Sequence, residues 1–193
     1  MTSLKQEKLF ARLRELRRVI VAYSGGTDSA YLAWAATQVL GPDAIAITAD
    51  SASIPESHKR DAEAFVREFG IRHEYVETHE FENPDYVKND ANRCFHCKDE
   101  LFTVLERVAA ERGFTNIVYG VNKDDLGDYR PGQKAAKLHS VKAPAGGSGS
   151  YQSRDSRVVT DSGPAHLGPS RGGMPEFADT LRNACDHNEY QDR

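Results

Sequence analysis

The chain has 193 residues, a net charge of −4 and 39% hydrophobic residues, enough for one domain with a buried core. The acidic balance gives no electrostatic grip on a phosphate backbone, which argues against a nucleic-acid partner. No apolar run approaches the roughly 18 residues of a membrane span, so no membrane partner is expected either. Three cysteines in a chain that opens without a secretory signal point to a cytoplasmic protein with metal or redox chemistry, or with structural thiols, before disulfides.

In chain order, Leu9, Phe10, Leu13 and Leu16 recur at helical spacing, with Ser3 and Gln6 as a capping box. Arg18–Tyr23 is a short apolar run, as expected of a buried parallel strand. The turn SGGTDS follows, then a helix from about Asp28 to Leu40 that stops at Gly41–Pro42. Ala44–Thr48 reads as the second strand, Pro55 to Phe69 as a helix ended by Gly70, and Ile71–Glu77 as the third strand. Glu80 to Asn92 reads as a loop, with a helix beginning at about Cys97 and ending at Gly113. Asn116–Gly120 is the fourth strand and leads into the polar loop VNKDDLGDYRPG. This alternation implies an open parallel α/β sheet with helices on both faces. In such sheets ligands bind at the carboxyl ends of the strands, where every motif below falls.

Ser24, Gly25, Gly26, Thr27, Asp28 and Ser29 join a buried strand to a helix. Glycines allow positive φ and close backbone approach, so successive amides can point into one concavity, and the helix start adds unpaired N–H groups. The serines can donate hydroxyls to the same anion. A carboxylate beside phosphates makes sense if Asp28 holds Mg²⁺ or orients the loop. No Gly-Lys-Ser/Thr follows, so this is not a Walker A loop. Asp50 and Ser51, closing the second strand, fall near the same site or cap the next helix.

Cys94 and Cys97 form a CxxC placed just before the predicted helix. Two thiols at that spacing supply half a metal site, a redox pair or a structural pair. Asn122, Asp124, Asp125, Asp128 and Arg130 follow the fourth strand and can serve Mg²⁺ and a phosphorylated substrate.

The loop SGGTDS resembles the signature of the PP-loop ATP pyrophosphatases, an adenine nucleotide alpha hydrolase-like fold. Together with RCFHCKDELF (Arg93–Phe102) and GVNKDDLGDYRPGQKAA (Gly120–Ala136), it is similar to the LarE-type ATP-dependent sacrificial sulfur transferases over residues 1 to about 143. Val121 stands where that family usually has Thr. The resemblance implies that ATP with Mg²⁺ adenylates a carboxylate on a pyridinium mononucleotide, and that sulfur then displaces AMP to give a thiocarboxylate. The product serves the nickel-pincer nucleotide cofactor of lactate racemase. It also implies ATP contacts from Ser24, Gly25, Gly26, Thr27, Asp28, Ser29, Asp50, Asn122 and Asp125, and catalytic roles for Asp28 and Arg130. Metal ligation falls to Asp28, Cys94 and Cys97. Intact members are expected to be homo-oligomers, some with an iron–sulfur cluster. Two other readings stay open: another adenylating PP-loop enzyme, NAD synthase-like or tRNA-thiolating, and a nucleotide-binding remnant without turnover.

From Ala145 to Arg193 the large aliphatic and Phe residues are only Val158, Val159, Leu167, Phe177 and Leu181, amid seven glycines and six serines. Such a segment buries too little apolar surface to offset its ordering entropy, so residues 144–193 are expected to be a disordered or non-native tail beside a domain at 1–143. The family's sulfur donor is a cysteine in a segment resembling PTWDKPASACLSSRIPYG. Displaced by one nucleotide, codons for Pro164 to Arg182 permit LPTWDRPAAACLSSRIPYG, and the Met174–Pro175 step is forced to read cysteine. The expectation is a frameshift near Pro144, with Met174 and Cys185 carrying no selected role.

Overall fold

Strands β1 (Val19–Ala22), β2 (Ala44–Asp50), β3 (His73–Glu77) and β4 (Asn116–Tyr119) form one sheet in the computed structural model, which describes residues 4–51, 54–88, 92–121 and 131–145. The strand order is β3-β2-β1-β4 and every pairing is parallel, with Val19 opposite both Ala44 and Asn116, and Ala46 opposite His73. Parallel neighbours need crossover connections, and helices provide them. Helix α1 (Leu4–Leu16) precedes the sheet, α2 (Thr27–Leu40) links β1 to β2, and α3 (Glu56–Glu68) links β2 to β3. A short α4 (Pro84–Val87) and the long α5 (Arg93–Arg112) lie between β3 and β4, and α6 (Pro131–Leu138) follows β4.

Alternation along the strands sorts side chains between two cores. Val19, Val21, Ala44, Ala46 and Val118 pack with Leu9 and Leu13 of α1, the alanines of α2, and Phe65 and Val66 of α3. Ile20, Ala22, Ile45, Ile47 and Ile117 pack on the other face with Phe102, Leu105 and Val108 of α5 and with Ala135 and Ala136 of α6. All four residues of β1 are buried, as the centre of a sheet covered on both faces requires. Every residue from Ser29 to Ala36 of α2 is also buried, because four alanines let the helix nest between the sheet and α1. The helix that carries the SGGTDS turn is therefore clamped on all sides.

The sheet confirms the open parallel α/β architecture expected from the sequence, with four local differences. Gly70 and Gly113 both take left-handed φ, +61° and +70°, and the residues after them bond back into the helices: Ile71 N–H to Val66 O at 2.8 Å and Phe114 N–H to Ala109 O at 2.9 Å. Ile71 and Arg72 thus belong to the exit from α3, and β3 starts at His73. The predicted loop at 80–92 contains a 3₁₀ turn (Glu80–Glu82) and α4, because the Asn83 side chain accepts from Asp85 N–H at 2.9 Å ahead of a well-placed Pro84. Helix α5 begins at Arg93, since Phe95 and His96 amides already bond to Asn92 O at 2.8 and 3.2 Å; the CxxC lies inside the first turn, not before it. Pro131 and Gly132, read as the end of a loop, open α6.

Beyond α6 the chain returns to the sheet. Lys142 N–H bonds to Ile117 O at 2.9 Å, and its carbonyl accepts from Tyr119 N–H at 3.0 Å, a parallel bridge on the free edge of β4. Arg12 Nη1 then holds Pro144 O at 2.8 Å. No helix among the described residues is long and apolar enough to cross a membrane. Ser3 and the tail from 146 lie outside the described residues.

Candidate active site

The carboxyl edge of the sheet gathers three strand ends. At β1, Tyr23 N–H still bonds to Ile47 O at 2.9 Å, and the Tyr23 carbonyl accepts the Thr48 hydroxyl at 2.8 Å. Thr48 Oγ1 also lies 2.9 Å from His73 Nε2. Its single proton goes to Tyr23, so the imidazole donates, which requires the Nε2–H tautomer. Burial lowers the His73 pKa and favours the neutral ring that does this. Three adjacent strands thus brace the residue from which the loop departs.

Gly25 turns the loop with φ +76°, and a Cβ there would lie 3.2 Å from Ala62 Cβ, so α3 backs the loop directly. Gly26 caps α2 in an extended conformation without a side-chain cap. Its carbonyl accepts the Ser29 hydroxyl at 2.9 Å, and Ser29 Oγ in turn accepts Ser24 N–H at 3.2 Å and lies 3.0 Å from Ser24 Oγ. With its one proton committed to Gly26, buried Ser29 staples the loop closed from inside, while Ser24, Gly26, Thr27 and Asp28 face solvent. The first turn of α2 leaves its leading amides without intrahelical acceptors, aimed out of the same edge. This cradle fits an anionic phosphate. Asp28 offers one exposed carboxylate beside it, which suits Mg²⁺ held by one carboxylate together with substrate phosphates.

Gly120, just after β4, closes the other side. A Cβ on it would sit 2.6 Å from Ser29 N and 2.7 Å from Asp28 C, so only glycine allows β4 to end against the start of α2. In the sequence, only its position directly after an apolar strand marks Gly120.

At β2, the Asp50 carboxylate pairs with Lys59 Nζ at 2.6 Å, and Lys59 reaches Glu56 at 3.0 Å. The hydrogen bond that Lys59 donates to Asp50, then that to Glu56, raises the Lys59 pKa. Asp50 is therefore held by α3 at the rim. Ser51, next to it, is buried and donates its hydroxyl to buried Glu80 of the 3₁₀ turn. Nothing in the run HEFEN distinguishes Glu80 from its exposed neighbour Glu82 before the fold is known.

Cys94 is exposed and Cys97 half-buried on the first turn of α5. Burial first, and then the charges of Glu80 and Cys94, push the Cys97 thiol up to about 11. Among the described residues no group of three His, Cys, Asp or Glu side chains is placed to hold a metal ion. The pair alone does not fit an iron–sulfur cluster, which needs further thiolates. Asn122, Asp125 and Arg130 lie outside the described residues, as does Cys185.

The profile of the NAD synthase family matches residues 7–104, just over half of the chain. An uncharacterised protein of Synechocystis sp. is 46% identical over 140 residues, 72% of this chain and 52% of that protein. The pyridinium-3,5-bisthiocarboxylic acid mononucleotide synthase of Lactiplantibacillus plantarum is 33% identical over 133 residues, 68% of this chain and 48% of the synthase. The chain thus spans about half the length of the curated relatives it matches. Among solved structures, the U34-tRNA thiolase NcsA of Methanococcus maripaludis, determined with its 4Fe-4S cluster, superposes with a TM-score of 0.56 at 22% identity, covering 96% of this chain and 72% of the thiolase. That likeness is one of fold. With its loop at the carboxyl end of the central strand, the chain belongs to the NAD synthase family of PP-loop proteins and is a homologue of the LarE-type synthase.

Proposed function

We propose that the chain is built to adenylate a carboxylate on a pyridinium mononucleotide at the expense of ATP, as the first half of sulfur transfer in nickel-pincer cofactor synthesis. The observation that carries this reading is the stapled loop from Ser24 to Ser29, backed by Ala62 and closed by Gly120. The 33% identity to the bisthiocarboxylic acid mononucleotide synthase supports the choice of acceptor. The loop amides and the Ser24 hydroxyl hold the polyphosphate, and Mg²⁺ supplies charge neutralisation there when bound. The acceptor carboxylate attacks the α-phosphorus, the bond to the β-phosphate oxygen breaks, and pyrophosphate leaves. Asn122, Asp125 and Arg130 are assigned to the nucleotide and to the acceptor, with Arg130 on its phosphate.

The second half needs a sulfur nucleophile at the acyl carbon, with AMP as the leaving group. The family's donor segment does not occur in residues 1–193, and we infer that Met174 and Pro175 stand where its cysteine would be encoded. We infer that the chain as written adenylates without transferring sulfur, and that restoring the frame at Pro144 returns the donor. The second reading, an NAD synthase-like adenylation ending in amide formation, is favoured by the family profile over 7–104.

The test supplies ATP·Mg and the pyridinium dicarboxylate mononucleotide to the written and frame-restored chains. Pyrophosphate is expected from both, and AMP with thiocarboxylate only from the restored chain. Thiocarboxylate from the written chain would overturn the frameshift, and carboxamide formation with ammonia would favour the second reading. Asp28→Ala should weaken Mg²⁺-dependent ATP binding about tenfold or more, as for loss of one charge-assisted contact. Equal affinity by calorimetry would remove Asp28 from the site.

A further inference from the structure

Lys98 is half-buried on the first turns of α5, next to Cys97, and its ammonium has no carboxylate partner among the described residues. Its Nζ sits 5.4 Å from the centre of the Tyr119 ring, the last residue of β4. Its stem lies on α6 at Gly132, where a Cβ would be 2.7 Å from Lys98 Cδ and 3.0 Å from both Cε and Nζ. Two elements therefore leave room for this cation: α6 by omitting a side chain, and β4 by offering an aromatic face. A partly desolvated ammonium normally meets an anion or water, and a ring face compensates it only in part. Tyr119 is followed by Gly120, where a Cβ would lie 2.6 Å from Ser29 N and 2.7 Å from Asp28 C of the SGGTDS loop. The ammonium and the loop thus share the carboxyl edge of β4, with the loop on the α2 side and Lys98 on the α5–α6 side.

We propose that Lys98 is an anion-binding residue that receives a phosphate group of a bound nucleotide across the end of β4, and that Gly132 is the position that admits it. The inference rests on the phosphate-loop reading of the same edge. The phosphate belongs either to the polyphosphate of ATP or to the mononucleotide acceptor.

The experiment titrates the full chain with ATP·Mg, nicotinic acid mononucleotide and inorganic pyrophosphate, for wild type, Lys98→Gln, Gly132→Ala and Gly25→Ala. Gly132→Ala keeps the charge but drives the lysine from its seat, and alanine favours a helix over glycine, so the fold is not weakened. Both Lys98→Gln and Gly132→Ala should bind the same probe about tenfold or more weaker at unchanged thermal midpoint, the loss expected for one charge-assisted hydrogen bond. Weaker ATP·Mg and pyrophosphate binding assigns Lys98 to the polyphosphate; weaker mononucleotide binding alone assigns it to the acceptor. Wild-type affinity for all probes in both variants overturns the proposal, and if Gly25→Ala still loses ATP the loop reading survives it. A lowered midpoint for Lys98→Gln with unchanged affinity makes the lysine structural and also overturns it. A folded wild type that binds none of the probes defeats both readings.

Discussion

A methyl group at Gly120 would have its carbon 2.6 Å from the Ser29 amide nitrogen, against backbone that cannot swing aside as a side chain can. Gly120→Ala must therefore displace either the end of β4 or the first turn of α2. Overpacking of this kind costs about 1–3 kcal/mol, and here it falls on the loop proposed to hold the phosphates. The expected outcome is weaker ATP binding together with a lower urea midpoint; unchanged calorimetry would show that the loop does not need β4 to close it. At the cysteines the sign follows from burial. Because the Cys97 thiol is pushed up to about 11, it is almost wholly protonated near pH 8, and only the thiolate alkylates. Peptide mapping after iodoacetamide should find Cys94 modified first. Cys97 labelling should rise about tenfold per pH unit until its pKa is reached, and Glu80→Gln should speed it. Equal labelling with no pH slope at Cys97 would contradict this picture.

At the scale of elements, the pair α5 and α6 is tied by His139, whose Nε2 meets Asp99 at 2.9 Å and whose Nδ1 meets Glu106 at 3.1 Å. Burial works to lower the His139 pKa, but the hydrogen bonds to Asp99 and Glu106 and their charges outweigh it, and the net shift is upward. A raised folded value means the folded protein holds the proton more tightly than the unfolded chain, where histidine titrates near about 6.5. The clamp therefore contributes fully below that pH and is lost as pH climbs through the raised value. Urea midpoints should fall across this window in wild type and not in His139→Gln; a flat wild-type profile would refute the clamp. Elements were legible in the sequence where one physical cause dominated. The strand β1 and the glycine-ended helices α3 and α5 were readable from apolar runs and from Gly70 and Gly113. The start of α5 was not, because Asn92 takes helical φ and ψ and the first turn is Arg, Cys, Phe, His, with no apolar period to mark it. The turn SGGTDS between β1 and α2 was legible as a strand-to-helix turn, whereas Glu80, Lys59 and Lys98 were ordinary charged residues until tertiary contacts singled them out. Ser140 ends α6 with φ +52°, a left-handed cap that glycine would signal and serine hides.

For the molecule as a whole, the boundary read from composition falls just after Lys142, whose backbone is bonded to β4 on both sides and whose Nζ reaches Asn116 Oδ1 at 2.6 Å. We propose that the folding unit ends there. Limited trypsin digestion of the full chain should then cut Arg154 and Arg157 before Lys142, leaving a core with the wild-type thermal midpoint. Cleavage within the first 140 or so residues, ahead of Arg154, would overturn the boundary. The same topology explains why the fold class was readable while the sulfur donor was not. The parallel sheet is written in alternating apolar runs, but a donor residue is one side chain, which no periodicity marks.

The clamped helix α2 also carries a built-in optical probe. Trp34 is the only tryptophan in the chain and is 3% exposed. Its ring lies 5.6 Å from Tyr31 and 6.1 Å from Phe10 of α1, two turns along from the SGGTDS loop. Emission from the native protein therefore comes from one indole in one apolar layer, and a red shift reports the opening of the core beside that loop without any label.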